Sequence, residues 1–267
     1  MSQGNTWKHF FKRSRAAHST YKWAKIARQV PLREWAHLHR TASIWKVLPN
    51  TMLPAKRLLS TYDLMIQIED ERLPGAAAEC GVWSGGGIGL MALASRRAGN
   101  KIRRFHLFDS FEGLPQPSAD DQDVLRDFRS QHPDLPLNQL GAASSLRSIG
   151  ACVGANADAV RDFLTSGLGI DPAQLVFHVG WFQETVPAAR NSIGPLAVLR
   201  IDGDWYESTK VCLDNFYDLV VDRGFVIIDD YGTFAGCRKA VDEMMSQRGI
   251  PANRLVDVDG ECVYFRK

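Results

Sequence analysis

Short apolar segments alternate with longer segments of helical periodicity along most of the chain. Apolar residues recur at helical spacing over residues 52–70, and Pro74-Gly75 then ends that helix. After it, the pattern predicts, in order, strand Ala76–Cys80, helix 86–98, strand 105–108, helix 158–166, strand Leu175–Val179, strand 197–201, helix 207–221, strand 225–228 and helix 236–247. Two weaker strands, 255–258 and 263–265, are predicted to form a closing hairpin across Asp259-Gly260.

This alternation predicts an α/β protein with an open, doubly wound, mostly parallel sheet that helices cover on both faces. Residues 112–150 are rich in Pro, Asp and Ser and are predicted to be a loop. Ligands of such sheets bind beyond the carboxyl ends of the strands. An acid, a glycine or both stand at the ends of the predicted strands, namely at residues 79–81, at Asp109, after His178, at Asp202 and at Asp229. We therefore expect the active site at the edge of the sheet that is formed by the carboxyl ends of the strands.

The distribution of charge divides the chain into two parts. Residues 1–50 contain ten Lys or Arg and one acid, Glu34, whereas the remainder contains twenty-two basic and twenty-nine acidic residues. We predict a basic aromatic N-terminal arm, 1–50, made of short helices, and one domain, 51–267. The arm is interpreted as a substrate lid or an assembly arm that supports a homo-oligomer, or as a solvated extension. No nucleic-acid-binding motif accompanies its tryptophans, so we expect no nucleic-acid partner.

Five scattered cysteines without a C-x-x-C pair argue against a disulfide framework and a structural zinc site. No apolar run approaches the roughly 20 residues that a membrane-spanning helix needs, and Lys8 to Arg15 lead into no apolar signal segment. These features predict a cytoplasmic protein without a transmembrane segment.

A glycine-rich loop follows the first predicted strand, and two carboxylates accompany it. The segment 79–87 begins with Glu79 and contains four glycines, which permit a tight turn close to a ligand. A phosphate-cradling motif is absent, and a dinucleotide fingerprint would lie inside the following helix. Asp109 ends the second strand, where a carboxylate can accept ribose hydroxyls. Together, Glu79 and Asp109 favour S-adenosylmethionine over NAD as the cofactor, because S-adenosylmethionine is a cation without phosphate. Alternatively, Asp109 is only a turn or helix-capping acid.

Four aspartates follow two successive apolar strands. Asp202 and Asp204 end one strand, and Asp229 and Asp230 end the next. Consecutive parallel strands often lie side by side, so these carboxylates should converge and repel each other unless they are protonated or bridged by a cation. Oxygen ligands without Cys or His indicate Mg²⁺, or alternatively Mn²⁺ or Ca²⁺. The competing interpretation is that these acids only cap the following helices.

The chain resembles the macrocin O-methyltransferase (TylF/MycF-like) family of S-adenosylmethionine-dependent sugar O-methyltransferases. Segment 202–209, which reads Asp-Gly-Asp-Trp-Tyr-Glu-Ser-Thr, is its most specific match. The other matching segments are Pro74-Gly75, 79–87, 108–115, 180–187, 199–201, 227–232 and 236–243. The resemblance covers the chain from about Met52 onward; the arm 1–50 does not match clearly, and residues 116–150 form a longer or divergent loop.

The resemblance implies a class I methyltransferase (Rossmann-like) fold with a seven-stranded sheet and a Mg²⁺-dependent reaction. It implies that Asp202, Asp229 and Asp230 bind the metal and that Asp204 is the general base. It further implies that the cofactor is held by Glu79, Cys80, Gly81, Val82, Ser84, Asp109, Ser110, Trp181 and Gln183.

The resulting hypothesis is methyl transfer from S-adenosylmethionine to a hydroxyl of a sugar or glycoside, with Mg²⁺ chelating two acceptor oxygens and Asp204 removing the proton. His178 is a rival base, although its place within a strand favours a packed histidine. A catechol-like phenol acceptor is the first alternative, because it also offers two adjacent oxygens. A non-catalytic nucleotide-binding or assembly protein and an NAD-dependent reductase are the others. Whether the acceptor is a small glycoside or the end of a polysaccharide stays open.

Overall fold

The computed structural model of the chain describes residues 37–100, 102–121 and 148–267. Its sheet has seven strands in the order β3-β2-β1-β4-β5-β7-β6. The strands are β1 (Ala76–Cys80), β2 (Phe105–Asp109), β3 (Leu175–Val179), β4 (Leu196–Ile201), β5 (Val220–Ile228), β6 (Val256–Asp257) and β7 (Val263–Arg266). The first five are parallel, whereas β7 runs antiparallel to both of its neighbours. The predicted doubly wound sheet and its closing hairpin are confirmed.

Helices cover both faces of the sheet. They are α1 (Leu38–Val47), α2 (Ala55–Asp70), α3 (Gly86–Arg97), α4 (Ala157–Asp162), α5 (Phe182–Ala189), α6 (Tyr206–Phe216) and α7 (Ala235–Gln247). Buried residues of α1 to α4 form one core, and those of α5 to α7 form the other. Side chains alternate across a strand, so Val198 enters the first core and Leu199 the second.

The described end of the basic arm packs with the domain. Helix α1 contacts α2 and α3, and its Ile44 and Val47 are buried together with the following Leu48. In contrast, the side chains of Leu38 and Trp45 are exposed. Residues 1–36 lie outside the described residues. The predicted assembly role of the arm therefore stays a prediction.

The predicted helix 207–221 is too long at its C-terminal end. Helix α6 ends at Phe216, a 3₁₀ turn covers Tyr217–Leu219, and β5 begins at Val220, five residues before the predicted strand. The tertiary pairing of Val220 with Leu196 of β4 recruits this residue into the sheet. Because β-branched valines fit a pleated surface well, the pairing overrides the helical periodicity.

Two other predicted segments differ in detail. The helix predicted at 158–166 is α4 followed by a single π-helical turn, Phe163–Gly167. The described ends of the predicted loop 112–150 meet at Pro115 and Ser148 through one antiparallel bridge.

Among the described helices, none is both long enough and apolar enough to cross a bilayer.

Strand order places one crevice at the centre of the sheet. From β1 the chain continues outward through β2 and β3, and then crosses to β4 on the other side of β1. The carboxyl ends of β1 and β4 therefore flank the point where the direction of winding reverses, which is the usual ligand site of such sheets.

Candidate active site

A cavity opens at this switch point and is lined by most of the predicted site residues. Strand ends contribute Glu79, Gly81, Asp109, Asp202, Asp204, Asp229 and Asp230. Residues from other segments complete the lining, namely Asn50, Thr51, Met52, Leu53, Arg57, Val82, Trp83, Gly86, Gly87, Ser110, Gly113, Leu114, Pro115, Cys152, Trp181, Phe182, Gln183, Arg200, Gly203 and Ser208. The fold thus gathers at one place residues that are up to 180 positions apart in the sequence.

The glycine-rich loop after β1 lies against the end of β4. Gly81 has a φ of +94°, and a Cβ at this position would lie 1.8 Å from the backbone oxygen of Asp202. Only glycine tolerates both the left-handed backbone and that approach. The loop also holds Trp83 at a φ of 50°, a conformation that a bulky residue rarely adopts.

Asp109 fastens this loop to the end of β2. Its Oδ2 accepts hydrogen bonds from the backbone N–H groups of Val82 (2.7 Å) and Trp83 (2.9 Å), and its Oδ1 accepts one from Phe111 (2.7 Å). Burial nevertheless raises the pKa of Asp109, because desolvation outweighs these three bonds. Asp109 therefore caps the turn, as the alternative interpretation of this residue predicts, and this capping is one part of its role. Oδ1, which accepts a single bond, keeps a second lone pair for a ligand at the cavity wall.

Glu79 lies beneath the loop and is 1 % exposed. Its Oε1 accepts a hydrogen bond of 2.8 Å from Nη1 of Arg200. A Cβ on Gly87 would lie 2.1 Å from the same Oε1, so the glycine lets α3 begin directly above the carboxyl group. Burial raises the pKa of Glu79 to about 8, because desolvation outweighs the attraction of Arg200.

The remaining predicted cofactor residues divide into two groups. Val82, Ser110, Trp181 and Gln183 line the cavity, the last two at the start of α5. In contrast, the Cys80 side chain is completely buried in the core behind the sheet. Ser84 is 7 % exposed, and its Oγ accepts a hydrogen bond of 3.1 Å from Ala155 N–H. Cys80 and Ser84 therefore shape the loop from behind.

Three aspartates form an acidic cluster in the cavity. Carboxylate oxygens of Asp202, Asp204 and Asp230 lie within 4.8 Å of one another. Burial, and then repulsion by Asp202, raise the pKa of both Asp204 and Asp230 well above the usual value. Burial and repulsion by Asp229 raise the pKa of Asp202 to about 6. Among the residues that the structure describes, none donates a hydrogen bond to the buried Oδ2 of Asp230. A buried oxygen of this kind is a free ligand for a cation.

Asp229 differs from its neighbours because two arginines neutralise it. Its Oδ1 accepts a hydrogen bond of 2.5 Å from Nη2 of Arg200, and its Oδ2 accepts one of 2.7 Å from Nη1 of Arg57. Nη1 of Arg200 also donates to Oδ2 of Asp202 at 2.9 Å. Asp229 is thus outside the cluster of three but shares one guanidinium with Asp202.

These two arginines are the functional residues that the sequence analysis missed. The sequence pattern predicts that protonation or a bridging cation relieves the repulsion between the carboxylates, whereas Arg200 and Arg57 supply part of the positive charge. Arg200 stands inside the apolar strand β4, at a position where an unpaired charge would be strongly unfavourable. That placement was a usable signal. Arg57 also binds Asp259 and Glu261 after β6, which its place on helix α2 did not indicate.

His178 belongs to the core packing. Its ring stacks on Phe108 with centroids 4.0 Å apart, and its Nε2 lies 3.0 Å from Nδ1 of His106. Burial lowers the pKa of both histidines, that of His106 to about 4. The packed, neutral interpretation of His178 agrees with this geometry.

The fold and the site define the class of protein. A seven-stranded sheet with an antiparallel β7, a glycine-rich loop after β1 and an acidic edge at β4 and β5 are the architecture of class I S-adenosylmethionine-dependent methyltransferases. The family model described as macrocin O-methyltransferase (TylF) matches residues 2–267. The chain therefore belongs to the TylF family and is an O-methyltransferase. The match includes the basic arm, which we had expected to fall outside the resemblance.

Individual relatives agree with this assignment. The chain is 35 % identical over 226 residues to the 8-demethyl-8-(2,3-dimethoxy-alpha-L-rhamnosyl)-tetracenomycin-C 4'-O-methyltransferase of Streptomyces olivaceus, covering 83 % of this chain and 77 % of the relative. It is 32 % identical to the mycinamicin III 3''-O-methyltransferase of Micromonospora griseorubida, covering 84 % and 80 %. The solved structure of the O-methyltransferase NovP superposes with a TM-score of 0.68 at 31 % identity, covering 82 % of each chain. Family membership excludes the reductase and non-catalytic alternatives.

Proposed function

We propose that this enzyme transfers the methyl group of S-adenosylmethionine to a hydroxyl of a sugar or glycoside with the help of a divalent cation, Mg²⁺. The observation that carries the proposal is the acidic cluster of Asp202, Asp204 and Asp230, which lies in the same cavity as the cofactor loop. The names of the relatives describe methylation of rhamnosyl and mycinamicin compounds. They favour a glycoside over a catechol-like phenol.

The chemistry of the carboxylates fits a cation. Full ionisation of the five acids Glu79, Asp202, Asp204, Asp229 and Asp230 beside two arginines would leave negative charge in excess, and burial and mutual repulsion raise the pKa of Asp202, Asp204 and Asp230 accordingly. Oxygen ligands and an unpartnered Asp230 Oδ2 suit a small hard ion. Asp202, Asp229 and Asp230 would hold it, because Arg200 already keeps Asp202 beside Asp229 and backbone continuity keeps Asp229 beside Asp230. When bound, Mg²⁺ acts as a Lewis acid that lowers the pKa of an acceptor hydroxyl.

Asp204 is the proposed general base. It is half-buried at the cavity wall, and no arginine hydrogen bond to it occurs in the described part of the chain, in contrast to Asp202 and Asp229. A carboxylate without a guanidinium partner keeps its basicity and can accept the proton of an acceptor oxygen. Asp204 would therefore hold that proton at a carboxylate oxygen while the acceptor attacks the methyl group in line. Alignment of the two reactants is the main contribution of the protein.

The residues around the loop are proposed to hold the cofactor, which supplies the electrophilic methyl group. Glu79 would attract its ammonium group, and the backbone of Gly81 and Val82 would approach it closely, while Cys80 and Ser84 support that backbone. Asp109 and Ser110 would face its ribose. Trp181 and Gln183 would flank its adenine. Apart from Cys80 and Ser84, these residues all line the cavity, and this common location supports their roles.

The decisive experiment compares two acceptors and tests whether turnover depends on Mg²⁺. The enzyme is incubated with S-adenosylmethionine, Mg²⁺ and either methyl α-L-rhamnopyranoside or catechol, and S-adenosylhomocysteine formation is measured. We expect turnover with the rhamnoside that EDTA abolishes and Mg²⁺ restores. Asp202→Asn should lose this turnover and keep its affinity for S-adenosylhomocysteine. Undiminished turnover in EDTA would exclude the metal role, and preference for catechol would exclude the sugar.

A pair of variants separates ligand from base. Asp229→Asn should weaken Mn²⁺ binding, measured by electron paramagnetic resonance, together with turnover. Asp204→Asn should retain Mn²⁺ affinity and lower kcat by about 10²- to 10⁴-fold, the usual contribution of a general base. If Asp204→Asn loses Mn²⁺ and Asp229→Asn does not, the two roles are exchanged.

A further inference from the structure

The turn that carries Asp204 has an unfavourable backbone conformation. Asp204 has a φ of 56°, in the left-handed region that costs a non-glycine residue roughly 1 kcal/mol or more. Such a conformation persists only where neighbouring structure holds it on both sides. On the preceding side, the Asp202 N–H donates a hydrogen bond of 2.8 Å to the Cys80 carbonyl. The contact on the following side comes from a distant segment.

That contact is made by Asp121. Its carboxyl group is 0 % exposed, and Oδ1 accepts a hydrogen bond of 2.8 Å from the N–H of Tyr206, the first residue of α6. Its Oδ2 accepts bonds of 2.8 Å from both the N–H and the Oγ of Ser118. One side chain therefore binds the turn after Asp204 to the segment 115–121.

Trp205 makes a second link between the same two parts. Its indole Nε1 donates a hydrogen bond of 2.9 Å to the Pro115 carbonyl, and its ring packs edge-on against Phe234. Pro115 lines the cavity together with Leu114. The two links join this segment to Trp205 and Tyr206, the two residues that follow Asp204.

The neighbouring helix is adapted to this arrangement. A Cβ on Gly236, near the start of α7, would lie 1.9 Å from Oδ1 of Asp121. Glycine at this position thus leaves room for the Asp121 carboxyl group, which would otherwise be displaced from Tyr206. This close approach of Gly236 to Asp121 is an observation independent of the hydrogen bonds. It supports the conclusion that the fold is adapted to hold the Asp121 carboxyl group.

We propose that Asp121 and Trp205 are positioning residues that hold the Asp204 turn against the Leu114–Pro115 wall of the cavity. This inference rests on the proposed role of Asp204 and concerns how that side chain is aimed. Neither residue touches the cofactor loop in the contacts above, which Asp109 holds separately. The rate of methyl transfer should therefore depend on Asp121 and Trp205, whereas the affinities for the cofactor and for the metal should not.

The test uses Asp121→Ala and Trp205→Phe, which keeps an aromatic ring but removes the Nε1 donor. Asp120→Ala is the matched control, because Asp120 lies in the same segment and pairs only with the exposed Lys239 among its described ion pairs. We expect Asp121→Ala and Trp205→Phe to lower kcat about 10-fold, with unchanged affinity for Mn²⁺ and for S-adenosylhomocysteine. Asp120→Ala should behave as the wild type.

Several outcomes decide the matter. An unchanged kcat in folded Trp205→Phe would overturn the inference, and so would an equal loss of kcat in Asp120→Ala. If the wild type binds no Mn²⁺ and methylates no acceptor, the proposed function fails instead. In that case hydrogen exchange of the Tyr206 amide still decides, because it should accelerate in Trp205→Phe relative to Asp120→Ala, and no acceleration contradicts the positioning role.

Discussion

Arg200 and Glu79 form a fully enclosed ion pair, with 2.8 Å between Nη1 and Oε1, directly beneath the cofactor loop. The same guanidinium binds Asp202 and Asp229, so it joins the cofactor side of the cavity to the acidic side. One buried positive charge thus stabilises three carboxylates that belong to three different strand positions.

Removal of this charge should destabilise the protein strongly. Arg200→Met removes a guanidinium partner from two buried carboxyl groups, Glu79 and Asp229, and from the partly exposed Asp202, and we expect a loss of about 3–5 kcal/mol in the free energy of unfolding. Arg223→Met removes a guanidinium that is 57 % exposed and pairs with Glu71, and it should cost at most about 1 kcal/mol. Urea unfolding of both variants measures the difference. Similar losses would argue against the central role of Arg200.

The stability of the metal-free protein should fall as pH rises above 6.5. Asp202 and Glu79 have pKa values raised to about 6 and about 8, from 3.8 and 4.5, so the native state holds more protons than the unfolded state. The stability linked to these protons is present at low pH and is lost as pH rises through the raised values. His106, whose pKa is lowered from 6.5 to about 4, acts in the opposite direction below pH 6.5, and the measurement therefore starts there.

Thermal unfolding between pH 6.5 and 8.5, with and without Mg²⁺, checks this dependence. Protons compete with the cation, so Mg²⁺ should raise Tm more at pH 8.5 than at pH 6.5. Asp230→Asn removes one repelling carboxylate and should flatten the decline in the metal-free protein. A Tm that rises with pH in the metal-free wild type would contradict the burial of these acids.

Substitution of His178 should leave catalysis intact. Its ring is stacked on Phe108 and hydrogen-bonded to His106, outside the residues that line the cavity. His178→Asn should change kcat/KM by less than about threefold, whereas loss of a general base costs about 10²-fold or more. The comparison with Asp204→Asn in the same assay distinguishes the two candidate bases. A 100-fold loss in His178→Asn alone would reinstate the histidine.

Gly81 and Gly99 offer a matched test of the loop geometry. Their φ angles are +94° and +92°, but a Cβ on Gly81 would lie 1.8 Å from the Asp202 oxygen, whereas nothing lies within 4 Å at Gly99. Gly81→Ala should abolish binding of S-adenosylhomocysteine or prevent folding. Gly99→Ala should lower stability by only about 1 kcal/mol through backbone strain. Calorimetry and thermal unfolding measure both, and equal effects would show that strain alone matters.

The sequence by itself determined the elements, the class of sheet and the edge where the acids meet. Strands such as Ala76–Cys80 are buried on both faces, so their apolar composition alone distinguishes them from the other segments of the chain. A carboxylate that follows such a strand in the sequence must lie at the end of that strand. The same local logic failed for Val220, where pairing with β4 prevailed over helical periodicity. The orientation of Cys80 was also beyond local logic, because alternation along the strand turns its side chain into the core.

Only the tertiary structure decided how charge is shared within the site. Arg57 is 172 positions from Asp229, and Asp121 is 85 positions from Tyr206, so no local pattern links either pair. The energy of a buried charge depends on which partners the fold brings within hydrogen-bonding distance. For that reason the sequence named the acids, whereas the three-dimensional fold determined that Asp229 is bound by two arginines and that Asp204 faces the cavity with Asp202 and Asp230.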